Sequence, residues 1–343
     1  MNEPRTRVKK KKKKNRFLRL LLVVILFCFV GAASYAGYLA YKVKSAADKT
    51  YHGLSRKSDL RTEKVTLGEN PVTILLLGIE KYSGDEPPHS DSMMLITLNP
   101  KTKETAILSI PRDTRTFLPV INQESKITHA YSYGNKKGGQ KAAVEASMEA
   151  VEKFLDVPID YYATVNFKAF KEVVDDLGGV TVKVKVAKPI TQRSMKAVGG
   201  KTYTFIPGET RHMNGAEALT YVQMRKTDPE GDFGRQKRQQ QILQALADKA
   251  LSVTTVTKAT DLLDTVGNNI TTNITLKEMF GMRNFYSSIK DGKHMEHFVF
   301  THSPETDVYL PATGPGRTYY FVPKQEEVQK ISNRLKEILE INQ

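Results

Sequence analysis

Twenty-one consecutive residues without a charge, Leu20 to Ala40 (LLLVVILFCFVGAASYAGYLA), limit what this 343-residue chain can become. At about 1.5 Å per residue a helix of that length crosses the hydrocarbon core of a bilayer. The sequence therefore predicts a transmembrane helix over residues 20–41, and it is preceded by six consecutive lysines, Lys9 to Lys14, with Arg5, Arg7 and Arg16 against only Glu3. Basic residues stay on the cytoplasmic side, so residues 1–19 are expected to be a cytoplasmic basic arm and everything after Tyr41 to lie outside a single-pass cell membrane protein. A cleaved signal peptide is the competing reading, resting on the small residues GAAS near Ala33. The unbroken apolar length favours an uncleaved anchor.

The arm accounts for about half of the net charge of +15. A lysine run invites a nucleic-acid partner, but without aromatic interleaving or a folded reader it gives only nonspecific attraction. A topology signal in contact with anionic membrane lipid is the simpler account, and no nucleic acid is expected. The one cysteine, Cys28, lies within the predicted span, so the outer part has no disulfide and must be stable through its core.

Residues 42–70 are polar with little apolar periodicity and read as an extracellular stalk; residues 71–343 read as the folded body. VTILLLG (72–78) has the continuous apolarity of a central strand, and MMLITLNP with ETAILSIP flank a turn and read as a hairpin. An apolar stripe predicts a helix from about Gly139 to Asp156, stopped by Pro158. IDYYATVNF, KAFKEVVDDLG and GVTVKVKVA read as strand, helix and strand, suggesting a βαβ crossover, and Pro189 to Pro207 as a surface hairpin or loop. Asn214 can cap the helix GAEALTYVQM, and a long helix is predicted over about Phe233 to Leu251. Thr275 and Glu278 have capping-box spacing, placing a helix at about 276–289; HFVFTH and RTYYFVP read as strands and Gln325 to Ile341 as a closing helix. The fold class expected is α/β: a single α-β-α layered domain with a central mixed sheet, outside one N-terminal transmembrane helix.

The chemistry is concentrated between Thr220 and Leu243 (TYVQMRKTDPEGDFGRQKRQQQIL), where Arg235, Arg238, Gln239 and Ile242 share a helix face by spacing. Guanidinium groups at a helix start cost stability unless an anion compensates them, and phosphate fits their forked donors. A solvated basic face paired with Asp228, Glu230 and Asp232 is the alternative. Arg112, Asp113 and Arg115 follow a buried strand in PRDTR, where Asp113 is expected chiefly to tie the loop down. No G-x-S-x-G, H-E-x-x-H, Walker A or dinucleotide-binding pattern occurs in its required context, so covalent serine or cysteine catalysis is unsupported. Arg112, Arg115, Arg225, Arg235 and Arg238, with the carboxylates Glu80, Asp91 and Asp232, suit phosphoryl transfer, in which carboxylates and phosphate oxygens hold Mg²⁺.

TILLLGIE, HSDSMML, LSIPRDT, KITHAYSYG, VVDDLGGVTV, NGAEALTYVQMRK and DFGRQKRQQQ occur in this order. Over roughly Val72 to Leu251 the chain thereby resembles the LytR-CpsA-Psr family of cell-wall enzymes. That resemblance implies an Mg²⁺-dependent phosphotransferase that moves an anionic glycopolymer, such as wall teichoic acid, from undecaprenyl pyrophosphate to the muramic acid C6 hydroxyl of peptidoglycan. It implies Glu80 and Asp91 as metal ligands, and Arg112, Arg115, Arg225, Arg235, Arg238 and Gln239 as pyrophosphate ligands, Arg238 alternatively forming a structural ion pair. Arg112 and Arg235 would act on the reacting phosphates, and Asp232 or Asp113 would take the hydroxyl proton. Glu80 stands where aspartate is usual, and His89 and Gln223 stand where arginines are, which predicts weaker carrier binding or a different donor. An apolar groove for the lipid is expected from VTILLLG, AILSI and the face of 139–156. Pyrophosphatase side activity, a non-catalytic receptor for lipid-linked polyanion and a membrane-bound transcriptional attenuator are the alternatives.

Overall fold

The computed structural model describes residues 34–80, 87–196, 199–251, 265, 267, 269–275, 277–279, 295–300, 308–311 and 317–341. The basic arm, residues 20–33 of the predicted span and most of the predicted helix at 276–289 lie outside them. Among the described residues no helix is long and apolar enough to cross a membrane. The first described helix, α1 (34–50), begins with exposed Tyr35, Tyr38 and Tyr41.

The predicted stalk is not a free tether. After α1 the chain lies along the body: Tyr51 bridges Thr272, Arg56 pairs with Glu152, and the Leu67 N–H donates to the Tyr161 hydroxyl at 3.0 Å. Leu67 is buried against Val72 and Ile74, a cluster too small to read from spacing alone.

A six-stranded sheet follows, formed by β1 (Val72–Glu80), β2 (His89–Leu98), β3 (Thr105–Ile110), β6 (Tyr161–Asn166), β11 (Ile270–Thr272) and β12 (Met295–Val299). Its order is β11-β6-β1-β2-β3-β12, with β1–β6 and β3–β12 parallel and the remaining pairs antiparallel. This is the mixed sheet expected. Both faces are covered, which is why β1 reads as an unbroken apolar run. Leu75, Leu77, Met93 and Leu95 pack on one side against α2 (His129–Leu155) and the closing helix α6 (Gln325–Ile338). On the other side lie α3 (Phe167–Asp176), α4 (Gly215–Gln223) and α5 (Gly231–Leu251), with a core of their own around Leu219, Tyr221 and Ile242. Both predicted caps form, Asn214 accepting from the Glu217 N–H and Thr275 exchanging bonds with Glu278.

One expectation is extended and one corrected. The helix expected from about Gly139 to Asp156 forms, and a helical segment from His129 that the sequence did not show precedes it in α2, the two separated at Gly138 and Gly139, the latter at φ 70°. Gly134 is needed there, since a Cβ would stand 2.4 Å from the Ala142 carbonyl oxygen. The βαβ crossover is absent: β7 (Val180–Lys183) leaves the central sheet and pairs antiparallel with β10 (Thr210–Met213). Gly178 and Gly179, at φ 77° and 80°, turn the chain away, and the alternation of buried Val180 and Val182 with exposed Thr181 and Lys183 suits a strand covered on one face. Between them β8 (Ile190–Arg193) and β9 (Thr202–Phe205) form the predicted surface hairpin.

Candidate functional site

β1 and β3 run the same way with β2 reversed between them, so the end of β1, the start of β2 and the end of β3 share one edge, the carboxyl edge of the parallel strands. Asp91 sits in an irregularity there. Gly78 pairs with Ser92 and Ile79 with Ser90, which leaves Asp91 as an extra residue in β2. Such a bulge re-aims a side chain. Glu80, the last residue of β1, pairs with His89 in the same ladder.

Arg112 and Asp113 occupy the turn after β3, closed by the Thr114 N–H and hydroxyl on the Pro111 carbonyl at 3.0 and 2.7 Å. Thr128 staples this turn to β2, its N–H bonding the Arg112 carbonyl at 3.2 Å and its hydroxyl the Ser90 carbonyl at 2.8 Å. Opposite, α5 is fixed on β3 by Gln240, whose Nε2 donates to Ser109 Oγ at 2.8 Å.

These anchors bring the predicted charges together. Arg112 Nη1 bonds Asp91 Oδ1 at 2.5 Å, and its Nε lies 3.8 Å from Asp113 Oδ2. Arg225 Nη2 bonds Asp113 Oδ2 at 3.2 Å while its Nε lies 3.6 Å from Asp232 Oδ1, which also pairs with Arg235. Gln239 faces the same edge, its Oε1 accepting from Ser92 Oγ at 3.0 Å. Arg235 is only 11% exposed, and its buried Nε makes no hydrogen bond. Burial, then the charges of Arg112 and Arg225, push its pKa down against the opposing pull of Asp232. This is a guanidinium short of an anion.

Two members of the cluster escaped the sequence reading. Lys126, on β5 (Gln123–Lys126), donates from Nζ to Asp113 Oδ1 at 2.7 Å. His129, at the start of α2, holds Ser125 through Nδ1 at 2.9 Å and lies edge-on to His89 at 6.0 Å between ring centres. Burial first, then His89, Lys126 and Arg112, push the His129 pKa down to about 4, so its imidazole is neutral at pH 7. The segment KITHAYSYG that carries both is polar and aperiodic, and no spacing rule points from it to PRDTR. Burial opposes ionisation of Asp113, but Lys126, Arg112 and Arg225 outweigh it and hold its carboxyl below the usual carboxylate range. Asp113 therefore ties the loop down, as expected, and does so with three cations.

Two predicted ligands do not join the cluster. Arg238 is fully buried inside α5, paired with equally buried Asp228, its Nε donating to the Tyr221 carbonyl at 2.9 Å and its Nη2 to that of Met224. Arg238 and Ile242 turn into the core while Arg235 and Gln239 reach the edge, so the shared stripe divides into two rows. Arg115 lies on β4 (Arg115–Leu118), where buried Thr116 and Leu118 alternate with it, and it pairs with Glu124 across the hairpin.

The carboxylates expected to hold a metal, Glu80 and Asp91, stand at the adjoining ends of β1 and β2, and among the described residues no group of three His, Cys, Asp or Glu could hold an ion. That set fits Mg²⁺, which keeps waters and takes phosphate oxygens, better than a cation that needs an all-protein cage. Beside Ser92 and Gln239 a cavity of about 290 Å³ opens between the sheet and α3 to α5, its walls including Leu76, Met94, Phe170, Val222, Leu243 and Leu246. Gln223 lines this cavity as well. The groove thus uses VTILLLG as expected, whereas AILSI is fully buried and the face of 139–156 packs in the core on the opposite side of the sheet.

A sequence profile of the LytR_cpsA_psr family matches residues 37–337. Bacillus subtilis TagV, a polyisoprenyl-teichoic acid–peptidoglycan teichoic acid transferase, is 40% identical over 309 residues, covering 89% of this chain and 74% of TagV. The crystal structure of B. subtilis TagV superposes with a TM-score of 0.64 at 36% identity, over 80% of this chain and 99% of that one. A structure of TagT bound to LIIa-WTA gives a TM-score of 0.67 at 32% identity, over 85% of this chain and all of that one.

Proposed function

Because the chain belongs to the LytR-CpsA-Psr family, whose relatives include teichoic acid transferases, we propose that it is a membrane-anchored glycopolymer phosphotransferase. It would take an anionic polymer such as wall teichoic acid from undecaprenyl pyrophosphate and place it on the muramic acid C6 hydroxyl of peptidoglycan. The anchor would be residues 20–41, with the catalytic body outside and confined to the plane of its lipid-linked donor. One observation carries the reading. Arg112, Arg225 and Arg235 converge on one edge, beside a carboxylate-lined strand end and the mouth of an apolar cavity.

The acceptor oxygen attacks the phosphorus that bears the polymer. The bond from that phosphorus to the bridging oxygen breaks, and undecaprenyl phosphate leaves with the electron pair. Arg112, Arg225 and Arg235 neutralise charge on the diphosphate oxygens, and Gln239 hydrogen-bonds at the cavity mouth. Magnesium held by Glu80 and Asp91 would add positive charge against the same oxygens. Of the two nominated bases, Asp113 has both oxygens engaged by Lys126 and Arg225. Asp232 is engaged as well, Oδ1 by Arg225 and Arg235 and Oδ2 by Gln236 Nε2 at 3.1 Å, but its two guanidinium partners are the ones a diphosphate would draw away, which leaves Asp232 the nominated proton acceptor. The apolar cavity would take the first part of the prenyl chain.

The test is fluorescent lipid-linked donor incubated with peptidoglycan oligomers and Mg²⁺. Covalent product that disappears in Arg112→Ala and Arg235→Ala supports transfer. Donor binding without product in the wild type replaces it with the receptor reading.

A further inference from the structure

Between Lys183 and Arg211 the chain carries seven cations and one carboxylate, Glu209. Arg211 takes that carboxylate, together with Glu217. Lys183, Lys185, Lys188, Arg193 and Lys201 are exposed, and none has a carboxylate partner among the described residues. Elsewhere on the body exposed lysines are interspersed with carboxylates, and some pair with them, as Lys101 with Glu340, Lys171 with Asp175 and Lys237 with Glu230. A group of exposed, mutually repelling cations costs stability unless a polyanion meets it.

This second basic arm, residues 183–211, is attached to the site at two points. Thr227, two residues beyond Arg225, donates from Oγ1 to Gln192 Oε1 on β8 at 2.9 Å. At its base Gln241, two residues beyond Gln239, donates to the Lys183 carbonyl at 2.7 Å, and the Lys185 N–H donates to the Tyr221 hydroxyl at 2.7 Å. The elements that carry Arg225 and Gln239 therefore carry the arm too. The alternation of β7 continues past its last residue, with Lys183 and Lys185 exposed and Val182 and Val184 buried. Side chains two apart on a strand stand about 7 Å from each other, the scale of the repeat in a chain of polyol phosphodiesters.

We propose that this arm binds the phosphodiester backbone of the donor polymer beyond its pyrophosphate, so that the protein selects polyanionic over uncharged glycopolymers. The inference rests on the transferase reading, but its test separates the two. In the full-length protein Lys183→Gln, Lys185→Gln, Lys188→Gln and Lys201→Gln are combined, all on exposed side chains. Binding of a soluble poly(glycerol phosphate) oligomer is measured by fluorescence anisotropy across a salt series, with dextran as the uncharged control. Transfer is measured with two lipid-linked donors, one bearing the polymer and one bearing only an uncharged disaccharide.

With each exposed contact contributing about a factor of two, the variant binds the oligomer roughly tenfold more weakly and with a shallower salt dependence. Its kcat/KM falls by a similar factor on the polymer donor and is unchanged on the disaccharide donor. Equal oligomer binding by variant and wild type, or equal loss on both donors, overturns the arm's role. If the wild type transfers neither donor, the transferase reading fails, and oligomer binding still decides whether the arm grips a polyanion.

Discussion

Arg235 and Arg238 stand three residues apart in one motif, and the structure assigns them opposite work. Arg238 is fully buried with Asp228, and its guanidinium is spent on that carboxylate and two backbone carbonyls. Replacing Asp228 with Ala leaves an uncompensated buried cation, a loss of about 3–5 kcal/mol. For a body of this size that lowers Tm by roughly 6–15 °C. Gly234→Ala attacks the same pair, because its Cβ would stand 2.1 Å from Asp228 Oδ2. Arg235 already lacks a hydrogen bond at Nε, and its carboxylate partner Asp232 keeps Arg225, so Arg235→Gln should cost less stability than Asp228→Ala while removing a donor that the proposed function assigns to the diphosphate. Losing one such donor costs transfer roughly 10²–10³-fold. Thermal melts of Asp228→Ala, Gly234→Ala and Arg235→Gln, beside single-turnover transfer with lipid-linked donor, separate the roles. The reasoning fails if Arg235→Gln melts as early as Asp228→Ala, or if Asp228→Ala keeps wild-type stability and loses donor binding.

Three further outcomes are expected. Magnesium and donor should each tighten the other's binding, seen by calorimetry with and without EDTA, and Asp91→Asn should abolish the coupling; donor affinity indifferent to Mg²⁺ would remove Glu80 and Asp91 from the site. His89→Arg and Gln223→Arg together should tighten donor binding, with the larger share from His89, since Gln223 faces the apolar cavity; equal donor Kd values would show that these positions do not set affinity. Stability between pH 7 and pH 4 should carry two opposed contributions. Asp160, which burial pushes up to about 6 in spite of Arg61, binds its proton earlier in the folded state, so its contribution grows as pH falls from 7. His129, pushed down to about 4, stays neutral when folded, so its contribution is lost as pH falls through ~6.5 toward 4. Melts of Asp160→Asn should lose the first trend and those of His129→Asn the second; an unchanged profile in either variant refutes the assignment.

What the sequence made legible follows local rules. The β1 run, the β2–β3 hairpin, the Asn214 cap and the extent of α5 are set by apolar period and capping chemistry within a few residues, and each appears where expected. Arg112, Asp91, Arg225 and Arg235 were found through ordered motifs, and the sheet topology explains their meeting, since β1 and β3 end on one edge. What failed depends on the third dimension. Arg235 and Arg238 are indistinguishable by spacing, and only the approach of Asp228 past Gly234 decides which is interior. Lys126 and His129 belong to the site because Thr128 is bonded to two separate strands, a contact no periodicity encodes. The alternation from Val180 to Lys185 reads as a strand that would close a βαβ crossover; β10 supplied an alternative partner.

The site's charges are already largely spent on one another, and this decides how it must work. Arg112 is bonded to Asp91, Arg225 spans Asp113 and Asp232, and Arg235 leans on Asp232. A diphosphate therefore does not enter a set of free cations. On the proposed reading it would exchange carboxylate partners for phosphate oxygens, and its affinity would be the difference between two sets of charge-assisted bonds. Under the proposed function Asp91 is the pivot of that exchange, because it bonds Arg112 and is assigned, with Glu80, to the metal. Engaging Asp91 with a cation would then loosen its hold on Arg112 where a phosphate needs that guanidinium. Asp113 has no such freedom, since Lys126 keeps one oxygen whatever Arg225 does. The cluster is thus fixed at Asp113 and exchangeable at Asp91 and Asp232, which places the rigid part on the loop and the reactive part where α5 meets β2.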